Sequence, residues 1–91
     1  MSVIQRIRQK VLRGEFEVSD HAFDELLADN FRLADAVKGI LNGRVIRTFT
    51  HEYPVARYAI EGKTNDGRLI EIICCFLSSG KVRIITVYEV T

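Results

Sequence analysis

Apolar residues recur at helical spacing through the first half of the chain and change to strand-like spacing after Gly43. In three successive segments they return every three or four positions, which is typical of amphipathic helices. The predicted helices span residues 2–13, 20–28 and 33–41. Ser19 or Asp20 can cap the second helix, because a short oxygen-bearing side chain accepts a free backbone N–H there.

The second half carries four strand-like segments separated by turn signals. They span residues 45–50, 56–62, 69–77 and 82–89. The turn clusters at 65–67 and 78–80 suit hairpins, and short connections favour antiparallel neighbours. Residues 16–18 also alternate and are a candidate for a short strand. We therefore expect an α+β fold in which three helices pack on one face of a four-stranded antiparallel sheet.

Length and composition predict one globular domain covering residues 1–91. Of the 91 residues 47% are hydrophobic and 27% charged, as in ordinary globular domains. With 13 basic and 12 acidic residues the net charge is only +1. This argues against strong nonspecific phosphate binding, because each neutralised phosphate needs its own cation, but it leaves room for a local basic patch. No apolar run is typical of a signal peptide or a membrane span, so we expect a cytoplasmic protein without membrane contact.

The two cysteines, Cys74 and Cys75, are adjacent within a predicted strand. Neighbouring strand residues point to opposite faces, so a disulfide between these two would be strained. Neither cysteine stands at metal-ligand spacing from a histidine. We expect reduced packing residues, no metal site and no cofactor.

Two histidines are candidates for chemistry. His21 stands beside Asp20 at the predicted start of the second helix. It could shuttle protons near neutral pH, or it could hydrogen-bond a neighbouring loop as an ordinary capping-region residue. His51 lies with Glu52 and Tyr53 in a predicted loop, where this cluster could bind a ligand, take part in catalysis or simply be solvated.

Polar residues alternate along the predicted strands. Glu71 is flanked by isoleucines and could pair with Arg57 or Arg83 across the sheet. In the last strand, simple alternation places Arg83 on one face and Tyr88 on the other. Tyr88 could be a core aromatic with its hydroxyl at the rim, or a stacking residue for a nucleobase.

Taken together, the segments from about residue 4 to residue 90 resemble an uncharacterised prokaryotic family of domains of unknown function. The resemblance is carried, in order, by Ile4–Arg8 with Gly14, Val18–Ala22, Leu41–Ile46, Tyr53-Pro54, Ile60–Gly62, Asp66–Leu69 and Ile84–Glu89. Members of that family look like the RelE/BrnT type of toxin domain, which are small α+β folds that often cleave RNA.

The resemblance implies a metal-free ribonuclease mechanism. A general base would activate a ribose 2′-OH, cations would hold the phosphate charge, and an acid would protonate the leaving oxygen. His21, as acid or base, and Tyr88, as a stacking or orienting group, match the family pattern. Arg57 and Arg83 are our candidate phosphate contacts. Glu71, where the family tends to have a histidine, completes the candidate substrate-binding set.

The chain departs from this family on the second helix. Four and eight residues beyond His21 the family usually has arginines, and here those positions are Glu25 and Asp29. If their face borders the site, two carboxylates would repel phosphate. We then expect a weak or inactive ribonuclease, in which replacing both carboxylates with arginine strengthens RNA binding.

The partners implied by the ribonuclease interpretation are RNA and an antitoxin-like protein. The alternative is a non-enzymatic protein-interaction module, which binds a partner or a second copy through a sheet edge or an apolar face. An enzyme should gather His21, Arg57, Arg83 and Tyr88 in one cleft. A binding module should scatter them and expose an apolar patch.

Overall fold

The chain forms three helices and five strands, and the computed structural model describes residues 1–91. The elements are α1 Val3–Leu12, β1 Phe16–Val18, α2 Asp20–Ala28, α3 Leu33–Asn42, β2 Arg44–Phe49, β3 Arg57–Lys63, β4 Leu69–Phe76 and β5 Val82–Glu89. The three predicted helices are confirmed with nearly the predicted bounds, and the change to strands occurs at Gly43. None of these helices is long and apolar enough to cross a membrane.

The sheet is mixed and has five strands in the order β1-β5-β4-β3-β2. Strands β2 to β5 pair antiparallel with their neighbours, as predicted. Strand β1 instead pairs parallel with β5, from Phe16 opposite Val82 to Val18 opposite Ile84. The prediction of four antiparallel strands was therefore wrong. A parallel pair joins segments that are far apart in the chain, so no hairpin turn signals it.

A β-bulge at Ile85 decides which residues of β5 share a face. The pairing register shifts between Ile73 and Cys74 of β4, so Ile85 is an extra residue on β5. A bulge reverses the alternation beyond it. Arg83 and Tyr88 consequently lie on the same face of the sheet, and their predicted separation onto opposite faces was wrong.

A second bulge acts in the same way on the edge strand β2. The register shifts between Val45 and Arg47, which leaves Ile46 as the extra residue and sets Arg47 opposite Ala59. Regular alternation would have turned the Arg47 side chain towards the helices. The bulge turns it to the other face.

All three helices contribute to one apolar core on one face of the sheet. The buried core residues are Ile7, Val11, Ala22, Leu26, Phe31, Ala36, Ile40, Ile60, Ile70, Ile72, Cys74, Val82, Ile84 and Val87. The opposite face carries no helix and is called the open face. By register its residues include Arg47, Arg57, Ala59, Glu71, Ile73, Cys75, Arg83, Thr86 and Tyr88.

Helix α3 lies directly against strand β3 because glycines meet at the contact. A Cβ atom added to Gly62 would lie 2.0 Å from the Gly39 carbonyl oxygen. A Cβ atom added to Gly39 would lie 2.5 Å from Cγ2 of Ile70. The absence of side chains at these two positions lets the helix and strand backbones touch.

Beyond the end of β1, side chains of α2 and of its N-cap residue form hydrogen bonds with the backbone of β5. The Ser19 hydroxyl donates to the Ile85 carbonyl, the Val87 N–H donates to the Glu25 carboxylate, and the Glu89 N–H donates to the Asp29 carboxylate, each at 3.0 Å. Four residues of helix rise about 6 Å, and two residues of strand rise about 6.7 Å. Glu25 and Asp29 therefore match alternate N–H groups of β5.

Arg68 connects the junction between α2 and α3 to the end of the sheet through several contacts. Its guanidinium lies 4.0 Å over the Phe31 ring and donates to both carboxylate oxygens of Glu89. It also donates to the backbone carbonyls of Asp29 and Asn30. The hydrogen bond from Arg68 lowers the pKa of Glu89 and raises that of Arg68.

We expect Glu25→Ala and Asp29→Ala each to lower the free energy of unfolding by about 1–3 kcal/mol, because a backbone N–H on β5 loses its charged acceptor. Urea denaturation measures this change. Asp24→Ala is the matched control, since Asp24 is exposed on the same helix, and its effect should stay within ~0.5 kcal/mol. Equal stability of the Asp24 and Asp29 variants would contradict the role given to Asp29.

Candidate functional site

A cleft of about 420 Å³ opens on the open face, where β1 passes into α2. We call it the arginine cleft. It is lined by Ser19, His21, Tyr53, Pro54, Val55, Arg57, Cys75, Leu77, Arg83 and Ile85. Its walls come from the start of α2, the loop over residues 50–56 and the strands β3, β4 and β5.

Two arginines face each other across the floor of this cleft. Arg57 and Arg83 both pair with Cys75, one from each neighbouring strand. Strands in a sheet are about 4.8 Å apart, so the two arginine Cα atoms lie roughly 10 Å apart. The Arg57 guanidinium lies 3.8 Å over the Tyr53 ring, and Arg83 Nε lies 3.7 Å from Glu17 Oε1. Both arginines have further N–H donors, and the pair can therefore hold a phosphate or carboxylate.

His21 is held at the rim of the cleft by the N-terminus of α2. Ser19 caps the helix by accepting the Ala22 N–H at 3.0 Å, and its hydroxyl donates to the Ile85 carbonyl. This double contact fixes the first turn of α2 on β5. His21 Nε2 lies 3.3 Å from Glu25 Oε1, and the ring is exposed. A histidine oriented by a carboxylate is a suitable acid–base group for a ligand in the cleft.

The two cysteines lie on opposite faces of the sheet, as predicted. Cys75 forms the floor between the arginines, and Cys74 is buried in the core. Burial raises the pKa of the Cys75 thiol, although Arg57 and Arg83 oppose this effect. Burial raises the pKa of Cys74 to about 12. Both thiols are therefore mainly protonated at neutral pH, which makes them weaker nucleophiles there than a free cysteine.

A second polar group lies further along the open face and is called the Glu71 cluster. It consists of Glu71, Arg47 and Tyr88. Glu71 is only 4% exposed, and its Oε2 atom accepts hydrogen bonds from both the Arg47 guanidinium and the Tyr88 hydroxyl. Burial, and then the bond to Glu71, raise the pKa of Tyr88. The Tyr88 hydroxyl therefore keeps its proton and remains a donor.

The structure divides the predicted site residues between these two places. His21, Arg57 and Arg83 line the arginine cleft, whereas Tyr88 and Glu71 belong to the Glu71 cluster. Of the four residues that an enzyme should gather in one cleft, three line the arginine cleft and Tyr88 lies outside it. Groups of His, Cys, Asp and Glu that could hold a metal ion are not found.

One participating residue was missed by the sequence analysis. Arg47, and not Arg57 or Arg83, is the partner of Glu71, and only the bulge in β2 places it there. Tyr53, from the predicted loop cluster with His51 and Glu52, contacts Arg57 through its ring. His51 itself is exposed in the loop and does not line the cleft.

Glu25 and Asp29 do not line the arginine cleft either. Their carboxylates accept backbone N–H groups of β5, and Glu25 borders the cleft only through His21. The expected repulsion of phosphate required that their face border the site, and only Glu25 comes near the cleft, through its contact with His21. Replacing both with arginine removes two acceptors from the β5 edge, so loss of stability is the expected result.

A family model described as a domain of unknown function (DUF4258) matches residues 18–89. The matched range begins at the end of β1 and finishes at the end of β5, so it includes the arginine cleft and the Glu71 cluster. No curated protein and no solved structure matches the chain.

We expect iodoacetamide to label the native protein at Cys75 alone, and Cys74 only after unfolding, because Cys74 is buried. Labelling of Cys75 should be slower than that of free cysteine at pH 7.5 and should accelerate as the pH rises, because its raised pKa leaves less thiolate at neutral pH. Mass spectrometry counts the labels, and Cys75→Ser is the control that should stay unlabelled until denatured. Equal labelling of both thiols in the native state would contradict the assignment.

Proposed function

The chain belongs to the DUF4258 family, and since that family is described only as a domain of unknown function, we propose a function from the arginine cleft itself. The proposed activity is the binding and slow metal-independent cleavage of RNA, in keeping with the RelE/BrnT-like relationship that we also propose. The observation that carries it is the meeting of His21, Arg57 and Arg83 in one cleft.

In this proposal Arg57 and Arg83 hold the phosphodiester. They approach from opposite sides of Cys75, so a phosphate above the cleft floor can accept N–H donors from both. Charge-assisted bonds of this kind are among the strongest hydrogen bonds in proteins. They also stabilise the extra negative charge that develops on the phosphate oxygens in the transition state.

His21 serves as the acid–base group. It takes the proton of the ribose 2′-OH as this oxygen attacks the adjacent phosphorus, and the bond from phosphorus to the 5′-oxygen breaks. The product is a 2′,3′-cyclic phosphate, and the departing 5′-oxygen takes a proton from water. Glu25, 3.3 Å from His21 Nε2, stabilises the imidazolium that forms.

Local anions keep the proposed activity modest. Glu17 lies 3.7 Å from Arg83, and Glu25 lies beside His21, so each of these cleft groups already has a counter-charge. The net charge of +1 adds little long-range attraction for a polyanion. We therefore expect weak, salt-dependent RNA binding and slow turnover.

His21→Ala should lower the rate of RNA cleavage by about 10²–10⁴-fold, the range for loss of one acid–base group. Cleavage of a fluorescent RNA in the presence of EDTA measures the rate. His51→Ala is the matched control, because this second histidine is exposed outside the cleft, and it should cleave like the unmodified protein. Equal rates for the two histidine variants would remove His21 from the mechanism. Absence of cleavage by the unmodified protein would overturn the proposed catalysis.

A second candidate function is supported by the outer surface of α2. Phe23 is 54% exposed and Leu27 is 62% exposed. They are one helical turn apart and stand beside the exposed Asp20 and Asp24. An apolar ridge with acidic neighbours suits a protein partner that carries basic and apolar side chains. On this view the domain is a protein-interaction module.

Co-expression with the protein of the neighbouring reading frame tests this candidate. The unmodified domain should co-purify with its partner, and the double variant Phe23→Ser with Leu27→Ser should lose it. Leu12→Ser is the control, because Leu12 is 70% exposed on a different helix. Loss of the partner from the Leu12 variant, or its retention by the double variant, would contradict the α2 surface as the binding site.

A further inference from the structure

We propose that the Glu71 cluster is a base-reading site that selects cytosine in the RNA strand held by the arginine cleft. This inference rests on the proposed RNA binding and adds a substrate preference to it. It assigns Glu71 and Arg47 to the hydrogen-bonding edge of the base and Tyr88 to its flat face.

One oxygen of Glu71 is available to a ligand. Both protein donors, Arg47 and Tyr88, bond to Oε2. No buried side-chain oxygen in the chain lacks a partner, so Oε1, which receives no protein donor, must reach solvent on the open face. A nearly buried carboxylate is costly unless it is paired and hydrogen-bonded. Here it is held by two donors on Oε2, and Oε1 keeps its capacity to accept a hydrogen bond from a ligand.

The pair formed by Glu71 and Arg47 complements the Watson–Crick edge of cytosine. Cytosine presents an amino donor beside two acceptors. Glu71 Oε1 can accept from the amino group, a pairing that carboxylates make with cytosine N4. The half-exposed Arg47 has further N–H donors for the neighbouring ring nitrogen and carbonyl.

The other bases fit this pair less well. Uracil would set its O4 acceptor against the carboxylate, which leaves two acceptors facing each other. Guanine can set its N2 amino group against Glu71 and its O6 towards Arg47, but its N1–H donor then faces an N–H donor of Arg47. Adenine offers the amino group but only one acceptor beside it. The expected order of preference therefore begins with cytosine and adenine, with guanine and uracil last.

Tyr88 provides a surface on which the base can stack. Its hydroxyl is fixed by the bond to Glu71, and its ring is only partly buried on the open face. An aromatic ring held in place loses little freedom when a base stacks on it, and such stacking contributes to single-strand binding.

The Glu71 cluster and the arginine cleft are close enough to act on one RNA strand. Both lie on the open face, and Glu71 is four residues along β4 from Cys75. Four strand residues span about 13 Å, a distance that an extended dinucleotide can cover. A phosphate in the cleft thus leaves a nearby base above the Glu71 cluster.

Fluorescence anisotropy with short single-stranded oligomers of cytidine, adenosine or uridine tests this assignment. The unmodified protein should bind the cytidine oligomer about 5- to 150-fold more tightly than the uridine oligomer, the range for one good base contact. Glu71→Gln turns an acceptor into an amide that can donate to uracil O4, so the preference for cytidine should be lost. Glu61→Gln is the matched control, because Glu61 lies directly opposite Glu71 in the neighbouring strand, and it should keep the preference.

Arg47→Lys provides a second test if the Glu71 variant does not fold. It keeps the charge but loses the planar fork, so it should also reduce the preference for cytidine. Equal binding of all three oligomers, abolished by Arg57→Ala with Arg83→Ala, would overturn base reading and leave the proposed RNA binding in place. Binding of none of them would overturn both.

Discussion

The placement of the site depends on the edge of β5, which β1 pairs over only part of its length. Buried backbone N–H and C=O groups need partners, and β1 supplies them only for the first part of this strand. Side chains of Ser19, Glu25 and Asp29 meet further groups of this edge, so α2 must lie along the strand with Ser19 at its head. His21 is two residues beyond Ser19 and is therefore held over the open face. A structural requirement of the sheet thus fixes the position of the candidate acid–base group.

The two faces of the sheet have different roles. One face packs against the helices to form the core, and the other carries the candidate functional residues. The covered face is almost wholly apolar, whereas the open face carries arginines from three strands. Each of these cations has a close companion: Arg47 has Glu71, Arg57 has the Tyr53 ring and Arg83 has Glu17. A chain of nearly neutral charge can in this way present a locally cationic surface without repulsion among its own arginines.

Features encoded by neighbouring residues could be predicted from the sequence, and features encoded by distant contacts could not. Helical periodicity, the Ser19 cap and the stop at Gly43 are local, and the helices followed from them. The parallel pairing of β1 depends on a strand far away in the chain, and the bulge at Ile85 depends on the pairing register with β4. The roles of Glu25, Asp29 and Arg47 were missed for the same reason. Each of these roles can be recognised only when the edge or the register of another strand is known.

The contact between Gly39 and Gly62 under the sheet couples the packing of the covered face to the geometry of the open face. Gly39 rests on Gly62, and α3 ends at Gly43, which runs without a linker into the strand that carries Arg47. A methyl group at Gly62 would push the helix away from β3, and β2 would be pulled with it. The geometry between Arg47 and Glu71 would then change, although neither had been touched. A substitution at a buried position on the covered face can in this way change the geometry of the Glu71 cluster on the open face.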